Sequence, residues 1–134
     1  MSINATKPNP IVETNIVGQA MALIRQHRFG EGGRGVQRDL KECARLFKIS
    51  AEAGEPAAQF NYGLKVLHGE GVEQNEISGC AWLAVAAENP RVKGTQYAER
   101  INLQRDRVWA GLSASDRERA ERLKGEIQSR IKAD

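Results

Sequence analysis

The sequence predicts an all-α protein, a short right-handed α-solenoid of antiparallel helix hairpins. The first observation is an internal repeat, because the run that begins at Gly35 recurs at Gly71 and the match continues without a gap to residues 86–88. A period of this length is typical of stacked helix pairs, each of which buries its apolar face only against a neighbour. The second observation is a content of 5% aromatic residues, so that Ala, Leu, Ile and Val must build the core. Such a composition favours the packing of helices over that of sheets.

The bulk composition is that of a globular protein of one domain. The chain has 134 residues, of which 28% are charged and 40% apolar, and this excludes a disordered chain. The sequence has no run of about 18 apolar residues and no apolar stretch near its N-terminus, so we expect neither a membrane span nor a secretion signal. A cytoplasmic location follows. Cys43 and Cys80 lie inside helical patterns, which favours buried, reduced thiols over a disulfide.

The N-terminal part is predicted to contain a lead-in and one helix. Residues 1–12 are polar and carry two prolines, so we interpret them as a flexible lead-in to a single domain over residues 13–134. A helix is predicted from about Glu13, with apolar residues at helical spacing. It must end before residues 30–35, because four glycines in six positions disfavour a helix. The apolar residues of this helix are Ile16, Ala20, Leu23 and Ile24.

Two further helices follow the glycine-rich segment. Asp39 is predicted to cap the second helix, since its carboxylate can accept from free amides of the first turn and Glu42 lies three residues further on. Gly54 is predicted to end that helix. Pro56 suits the first turn of the third helix, which we expect to end at Gly69.

The remaining three helices repeat the pattern and then depart from it. Residues 69–72 form a shorter glycine-containing loop, and Asn75 takes the capping position of Asp39. The fourth helix is predicted to end at Asn89-Pro90, and its small residues allow neighbouring helices to approach closely. A fifth helix begins near Tyr97, and a sixth carries an apolar stripe. The count is therefore six helices in three antiparallel hairpins.

These residues resemble the Sel-one-like repeat (SLR) family, which is related to the tetratricopeptide repeats. Its pattern is an Ala, a Leu-Gly and an aromatic residue on one helix, a Gly-x-Gly-Val loop, an Asp, and then an aromatic pair and Ala-Ala on the next helix. The second copy supplies Ala58, Tyr62-Gly63, Val66, residues 69–72, Asn75, Trp82-Leu83 and Ala86-Ala87. The first copy supplies residues 33–36, Asp39, Leu46-Phe47 and Ala51, with Arg25 in place of Gly63. The resemblance covers residues 18–130 and implies two Sel-one-like repeats plus a terminal helical hairpin.

The sequence contains no arrangement that indicates catalysis, a metal or a cofactor. The glycines of residues 30–35 follow no strand and do not end in Gly-Lys-Ser or Gly-Lys-Thr, so they are not a phosphate-binding loop. The two histidines and two cysteines are not paired at the spacing of metal ligands. Glu70 and Glu73 flank a flexible loop, which is a poor place for a general acid. We therefore expect a non-catalytic protein without cofactors.

Positive charge is concentrated in the C-terminal third. Residues 1–90 have a net charge of −1, whereas residues 91–134 have a net charge of +4. The arginines of this region could contact nucleic acid. Acidic residues are interleaved with them at helical spacing, as at Glu118 and Arg122, which favours a surface of ion pairs over nucleic-acid binding. Self-association through this end is an alternative.

The resemblance implies that a partner binds on the concave side, which the first helix of each hairpin lines. Because large apolar residues are not exposed on a monomer without reason, Phe60 and Leu64 stand out. An alternative is that Phe60 packs between neighbouring hairpins. The predicted partner-binding residues are Ala57, Phe60, Leu64, Leu67, His68, Tyr97 and Arg100.

The function expected from these observations is a protein–protein interaction module. It would be a small bacterial adaptor or scaffold that captures a helix or an extended segment of a partner in a preformed groove. An immunity or inhibitor-type protein that binds a toxic enzyme is the alternative. Nucleic-acid binding through the basic C-terminal third has less support.

Overall fold

The computed structural model describes residues 34–133, which form five helices and, within that range, no strand. The all-α fold class is therefore confirmed. The predicted lead-in over residues 1–12 and the helix predicted from Glu13 lie outside the described residues. None of the helices within residues 34–133 is both long and apolar enough to cross a membrane. The helices are α1 (Arg34–Glu52), α2 (Pro56–His68), α3 (Glu76–Glu88), α4 (Gln96–Gly111) and α5 (Ala114–Ala133).

Most helix ends lie where the sequence predicts them. Pro56 occupies the first turn of α2, and the Glu55 carboxylate accepts from the Ala57 amide at 3.3 Å. Gly69 ends α2 with a left-handed φ of 71°, which a glycine adopts without strain. The Asn75 side chain caps α3 by accepting from the Ser78 amide at 3.0 Å. Caps of this kind satisfy amides that a helix leaves free, and each stabilises the fold by about 1 kcal/mol.

The start of α1 differs from the prediction. α1 begins at Arg34, so Asp39 lies within the helix and the predicted cap is wrong. In the second copy, Gly69 and Gly71 both have positive φ and turn the chain before α3 begins. Gly35 is instead part of a helix, because the Arg and Gln residues around it are good helix formers. The two copies therefore match in sequence without matching in helix length.

α3 is the central helix of the described part of the fold. It packs against α2, α4 and α5. Every residue from Gly79 to Ala87 is buried, so α3 has no polar face to alternate with an apolar one. Its small residues permit this position, because neighbouring helices approach it closely on several sides.

The contact between α2 and α3 depends on two glycines. A Cβ atom added at Gly63 would lie 3.3 Å from the Gly79 carbonyl oxygen, and one added at Gly79 would lie 3.1 Å from the Gly63 carbonyl oxygen. Both distances are tighter than ordinary Cβ contacts. The close packing predicted at Gly63 is confirmed. The close approach lets side chains near each glycine, such as Leu67 and Leu83, pack against the opposite helix.

Candidate partner-binding site

Apolar side chains of α2 and α4 meet where the sequence predicts a partner-binding groove. Both helices pack along α3, and a buried cluster that includes Leu67, Leu83 and Ile101 lies beneath them. Phe60 and Leu64 of α2 and Tyr97 of α4 are half-buried and pack against this cluster. We call the surface formed by Ala57, Phe60, Leu64, His68, Tyr97 and Arg100 over this cluster the α2/α4 groove.

Phe60 and Tyr97 join the two sides of the groove. Their ring centroids are 6.1 Å apart and the rings are inclined at 77°, an edge-to-face arrangement. Such pairs contribute about 0.5–1.5 kcal/mol beyond the burial of their area. Phe60 thus packs on the next hairpin, as the alternative interpretation expected, and yet keeps part of its ring accessible. The packing alternative is therefore confirmed, and partner binding by the accessible part of Phe60 stays a prediction.

The other predicted residues of α2 divide between surface and core. Ala57 and Leu64 are half-buried and His68 is exposed, so these three line one open stripe of α2. Leu67 was predicted to be exposed, and this is wrong, since only 9% of it is accessible. Its position on the helix directs it towards α3, where Gly79 leaves room for its side chain.

α4 contributes a charged edge to the groove. Arg100 is exposed. Gln104 and Arg107 follow Tyr97 at intervals of seven and ten residues, which places them on the same flank of the helix as Tyr97 and Arg100. Neither residue was among those predicted from the sequence, although its helical spacing from Tyr97 indicates its position.

Acidic residues of α4 lie away from the groove. Glu99 and Asp106 are exposed and lie about 80–120° around α4 from Arg100 and Arg107. Asp106 accepts a hydrogen bond from Arg105 at 3.0 Å. The groove therefore meets the cationic flank of α4 and not its acidic one.

The Tyr97 hydroxyl stays neutral under ordinary conditions. Burial raises the pKa of Tyr97, and the nearby carboxylate of Glu55 raises it further. Arg91 lies 3.5 Å from that carboxylate and partly balances its charge. Tyr97 can consequently present both an aromatic surface and a hydrogen-bond donor to a bound segment.

Half of the described cations of the C-terminal third form ion pairs within the protein. Lys124 lies 3.0 Å from Glu88 and 3.2 Å from Glu121, which links α3 to α5. The predicted pair of Glu118 with Arg122 does not form among the described side chains. The arrangement nevertheless favours the predicted surface of ion pairs. Further pairs are Arg105–Asp106, Arg119–Asp116 and Arg130–Glu52.

The two cysteines are buried, as predicted from their helical positions. Among the described residues neither forms a disulfide, and each has 1% of its surface accessible. Burial raises the pKa of the Cys43 and Cys80 thiols, which keeps them protonated and weakly nucleophilic. Among residues 34–133, no group of three or more His, Cys, Asp or Glu side chains could hold a metal ion.

Two other concave regions were not anticipated. A cleft of about 300 Å³ lies between α1, α3 and α5, above the edge-to-face pair of Tyr62 and Trp82. A cavity of about 560 Å³ lies at the C-terminal end of α3, beside Asn89 and Ile131. Each joins residues that are far apart in sequence, so no local motif indicates either one.

Comparison with known proteins supports the fold. The Sel1 repeat family matches residues 26–55 and 56–90. The structure is similar to the crystal structure of c5321, a protective antigen present in uropathogenic Escherichia coli strains displaying an SLR fold, with a TM-score of 0.69 and 23% sequence identity. The likeness covers 89% of this chain and 23% of that one, so the chain spans about a quarter of the length of that protein. None of the curated proteins matches the chain.

Proposed function

The chain carries two Sel1 repeats in an SLR fold, and on that premise we propose that it is a small bacterial adaptor which captures a segment of one partner protein in the α2/α4 groove. Sel1 repeats generally serve protein–protein interaction, and the SLR fold is typically a non-catalytic scaffold. The observation that carries the proposal is the half-exposed pair of Phe60 and Tyr97, which joins two helices over a buried apolar floor.

The residues of the groove suit a binding surface. Aromatic side chains and arginine are enriched at protein interfaces and among the residues that contribute most to affinity. Phe60, Tyr97 and Arg100 are such residues, and Leu64 adds an aliphatic contact between them. The buried parts of the Phe60 and Tyr97 rings are held by packing on the core cluster.

The groove would bind by a preformed surface. Leu83 and Ile101 have no accessible surface, so the floor beneath Phe60 and Tyr97 is fully packed without a partner. A packed floor fixes the aromatic side chains before binding, which reduces the entropy lost on association. An apolar face of the partner would contact Phe60 and Leu64, while Arg100 would orient the segment at its edge.

Replacement of Phe60 by alanine tests the proposal. We expect F60A to weaken capture of the partner by about tenfold or more, which corresponds to about 1.4 kcal/mol, because an aromatic anchor is lost. The melting temperature should fall by clearly less than it does for a fully buried phenylalanine, because Phe60 is only half-buried. The measurement is a comparison of proteins recovered from native extract by tagged wild type and F60A, followed by calorimetric titration of the partner identified.

Two matched variants define what the result means. I49A removes an apolar side chain that is 44% exposed on α1, outside the α2/α4 groove, and should leave capture unchanged. F47A removes a phenylalanine with no accessible surface and should destabilise the domain by about 3–5 kcal/mol. If F60A destabilises the domain as F47A does, or binds the partner as wild type does, the assignment of the groove is wrong.

A further inference from the structure

We propose that the segment captured in the α2/α4 groove is acidic and amphipathic, with apolar side chains on Phe60, Leu64 and Tyr97 and with carboxylates on Arg100 and Arg107. The inference rests on the proposed function of the same groove and adds the chemistry of its occupant. It follows from the excess of positive charge at the edge of the groove. Neither the apolar floor nor the repeat pattern implies this excess.

Arg100 and Arg107, the cations on the groove flank of α4, form no ion pair with the acidic side chains that the structure describes. Among the described side chains, neither Arg100 nor Arg107 lies within ion-pairing distance of an acidic group. The remaining arginine of α4, Arg105, has such a partner in Asp106. Arg100 and Arg107 are both exposed. Their charge is therefore available to a bound molecule.

The α2 side of the groove supplies no compensating carboxylate. Its open stripe carries Ala57, Leu64 and His68, none of which is acidic. Acidic residues flank α2 at its two ends: Glu55, whose carboxylate is near Tyr97, lies 3.5 Å from Arg91, and Glu70 lies 3.5 Å from Lys65. The groove thus combines an apolar floor with a positive edge, and binding surfaces favour partners of complementary charge.

The spacing of the two arginines restricts the partner further. Arg100 and Arg107 are seven residues apart, which is two turns or about 10 Å along α4. A helical partner that runs along α4 would place its carboxylates at a similar interval of about seven residues, with its apolar residues on the adjacent stripe. Nucleic acid is less suitable, because two free cations beside an apolar floor offer few phosphate contacts.

The test uses the whole chain and a display library of random peptides of about 15 residues, roughly four helical turns. We expect the peptides selected to be enriched in Asp and Glu together with Leu, Ile or Phe. A synthetic copy of the best peptide should bind more weakly at high salt, and its affinity should fall by about tenfold or more for the double variant R100E/R107E. Selection on that variant should favour Lys and Arg in place of the acids.

A matched variant separates local charge from net charge. R119E/R122E makes the same change of charge on α5, outside the groove, and should select and bind the same acidic peptides as wild type. Loss of the acidic preference in R119E/R122E would show that overall charge and not the groove sets the preference, which would overturn the inference. Circular dichroism and melting temperature confirm that both double variants are folded.

The possible failures are distinguishable. Peptides that require Phe60 but show no acidic excess would leave the proposed function intact and overturn this inference. Acidic peptides whose binding is the same for F60A and wild type would contradict the groove itself, and the inference would fall with it. Binding of a single-stranded oligothymidine that is lost in R100E/R107E would show that the occupant is nucleic acid. Recovery of no enriched peptide would likewise overturn the inference.

Discussion

Single glycines and amides decide how closely the loops of this fold pack on its helices. Gly71 has a φ of 78°, and a Cβ atom at this position would overlap the Leu40 carbonyl group and lie 2.9 Å from the Lys41 nitrogen. The loop before α3 therefore passes directly over the backbone of α1. Gly94 has a similar φ of 84° but no atom within 4 Å of an added Cβ. A non-glycine residue would therefore have a similarly strained φ at both positions. The positions differ only in whether other atoms lie close to the added Cβ atom.

G71A is expected to destabilise the domain more than G94A does. A non-glycine residue in the left-handed region costs about 1–2 kcal/mol, and this is the whole effect expected at Gly94. Overlap with backbone atoms adds about 1–3 kcal/mol at Gly71, because the backbone of α1 must move. Urea denaturation of both variants measures the difference. Equal losses would show that α1 moves aside without cost.

Asn89 joins two loops through a buried amide. Its Nδ2 donates to the Gly54 carbonyl oxygen at 3.0 Å and to Gln59 Oε1 at 2.9 Å, and only 7% of the residue is accessible. We expect N89D to lose about 1–3 kcal/mol or more at neutral pH, because a carboxylate would face two acceptors. Protonation of the new carboxyl restores a donor, so the loss should shrink as the pH falls. Q74E, which alters an exposed amide that donates to Leu67, is the control in denaturation measured against pH.

At the scale of the helix, local sequence signals predicted where helices begin and end better than they predicted which side chains are buried. Pro56, Gly69 and Asn75 act through the chain next to them, so the sequence was enough to place them. The cap signal at Asp39 failed because it competes with helix formers that precede it, and nothing in the sequence stops the helix there. Local propensity is a weak guide where two such signals disagree.

The burial of side chains depends on neighbours that are distant in sequence. Leu67 lies next to an exposed stripe and was assigned to it, whereas packing against α3 buries it. Phe60 and Tyr97 were predicted on one surface because the repeat places first helices side by side. Arg107 was missed because the helical spacing from Tyr97 was not followed beyond Arg100, although the same spacing indicates its flank.

The contact between α3 and α5 is expected to weaken in acid. Burial raises the pKa of Glu88, but hydrogen bonds from Gln128 and Lys124 at 3.0 Å outweigh it, so the net pKa is lowered. A carboxyl whose pKa is lower in the folded state stabilises it above the unfolded pKa of about 4.3, and this stability is lost as the pH falls through the folded pKa.

E88Q removes this acid-sensitive contribution. Because the pair is partly exposed, we expect E88Q to lose about 1 kcal/mol or less at neutral pH and to respond less steeply to acid than wild type. Denaturation midpoints between neutral and acidic pH measure both slopes. The variant E126Q, at an exposed position of α5, should follow the wild-type curve. Parallel curves for E88Q and wild type would show that the contact contributes nothing to acid sensitivity.

For the molecule as a whole, α5 closes a core that belongs to the earlier helices. Ile127 of α5 is in the same buried cluster as Phe47 of α1, Tyr62 of α2 and Trp82 of α3. Arg130 also lies 3.8 Å from Glu52, at the end of α1. In an extended solenoid each hairpin contacts only its neighbours, and stability is nearly a sum of local terms. Here the last helix contacts the first helix described, so we expect the helices to unfold together.

The variant I127A tests this cooperativity. Ile127 has 1% of its surface accessible, and its truncation should cost about 2–5 kcal/mol through lost burial and a residual cavity. If the helices form one unit, hydrogen exchange at the most protected amides of α1 and α3 should accelerate as much as at those of α5, because all exchange through the same global opening. L103A, an exposed truncation, should leave exchange unchanged, since surface substitutions usually alter stability by less than about 0.5 kcal/mol. Acceleration confined to α5 would show instead that the terminal hairpin opens by itself and that stability adds locally along the solenoid.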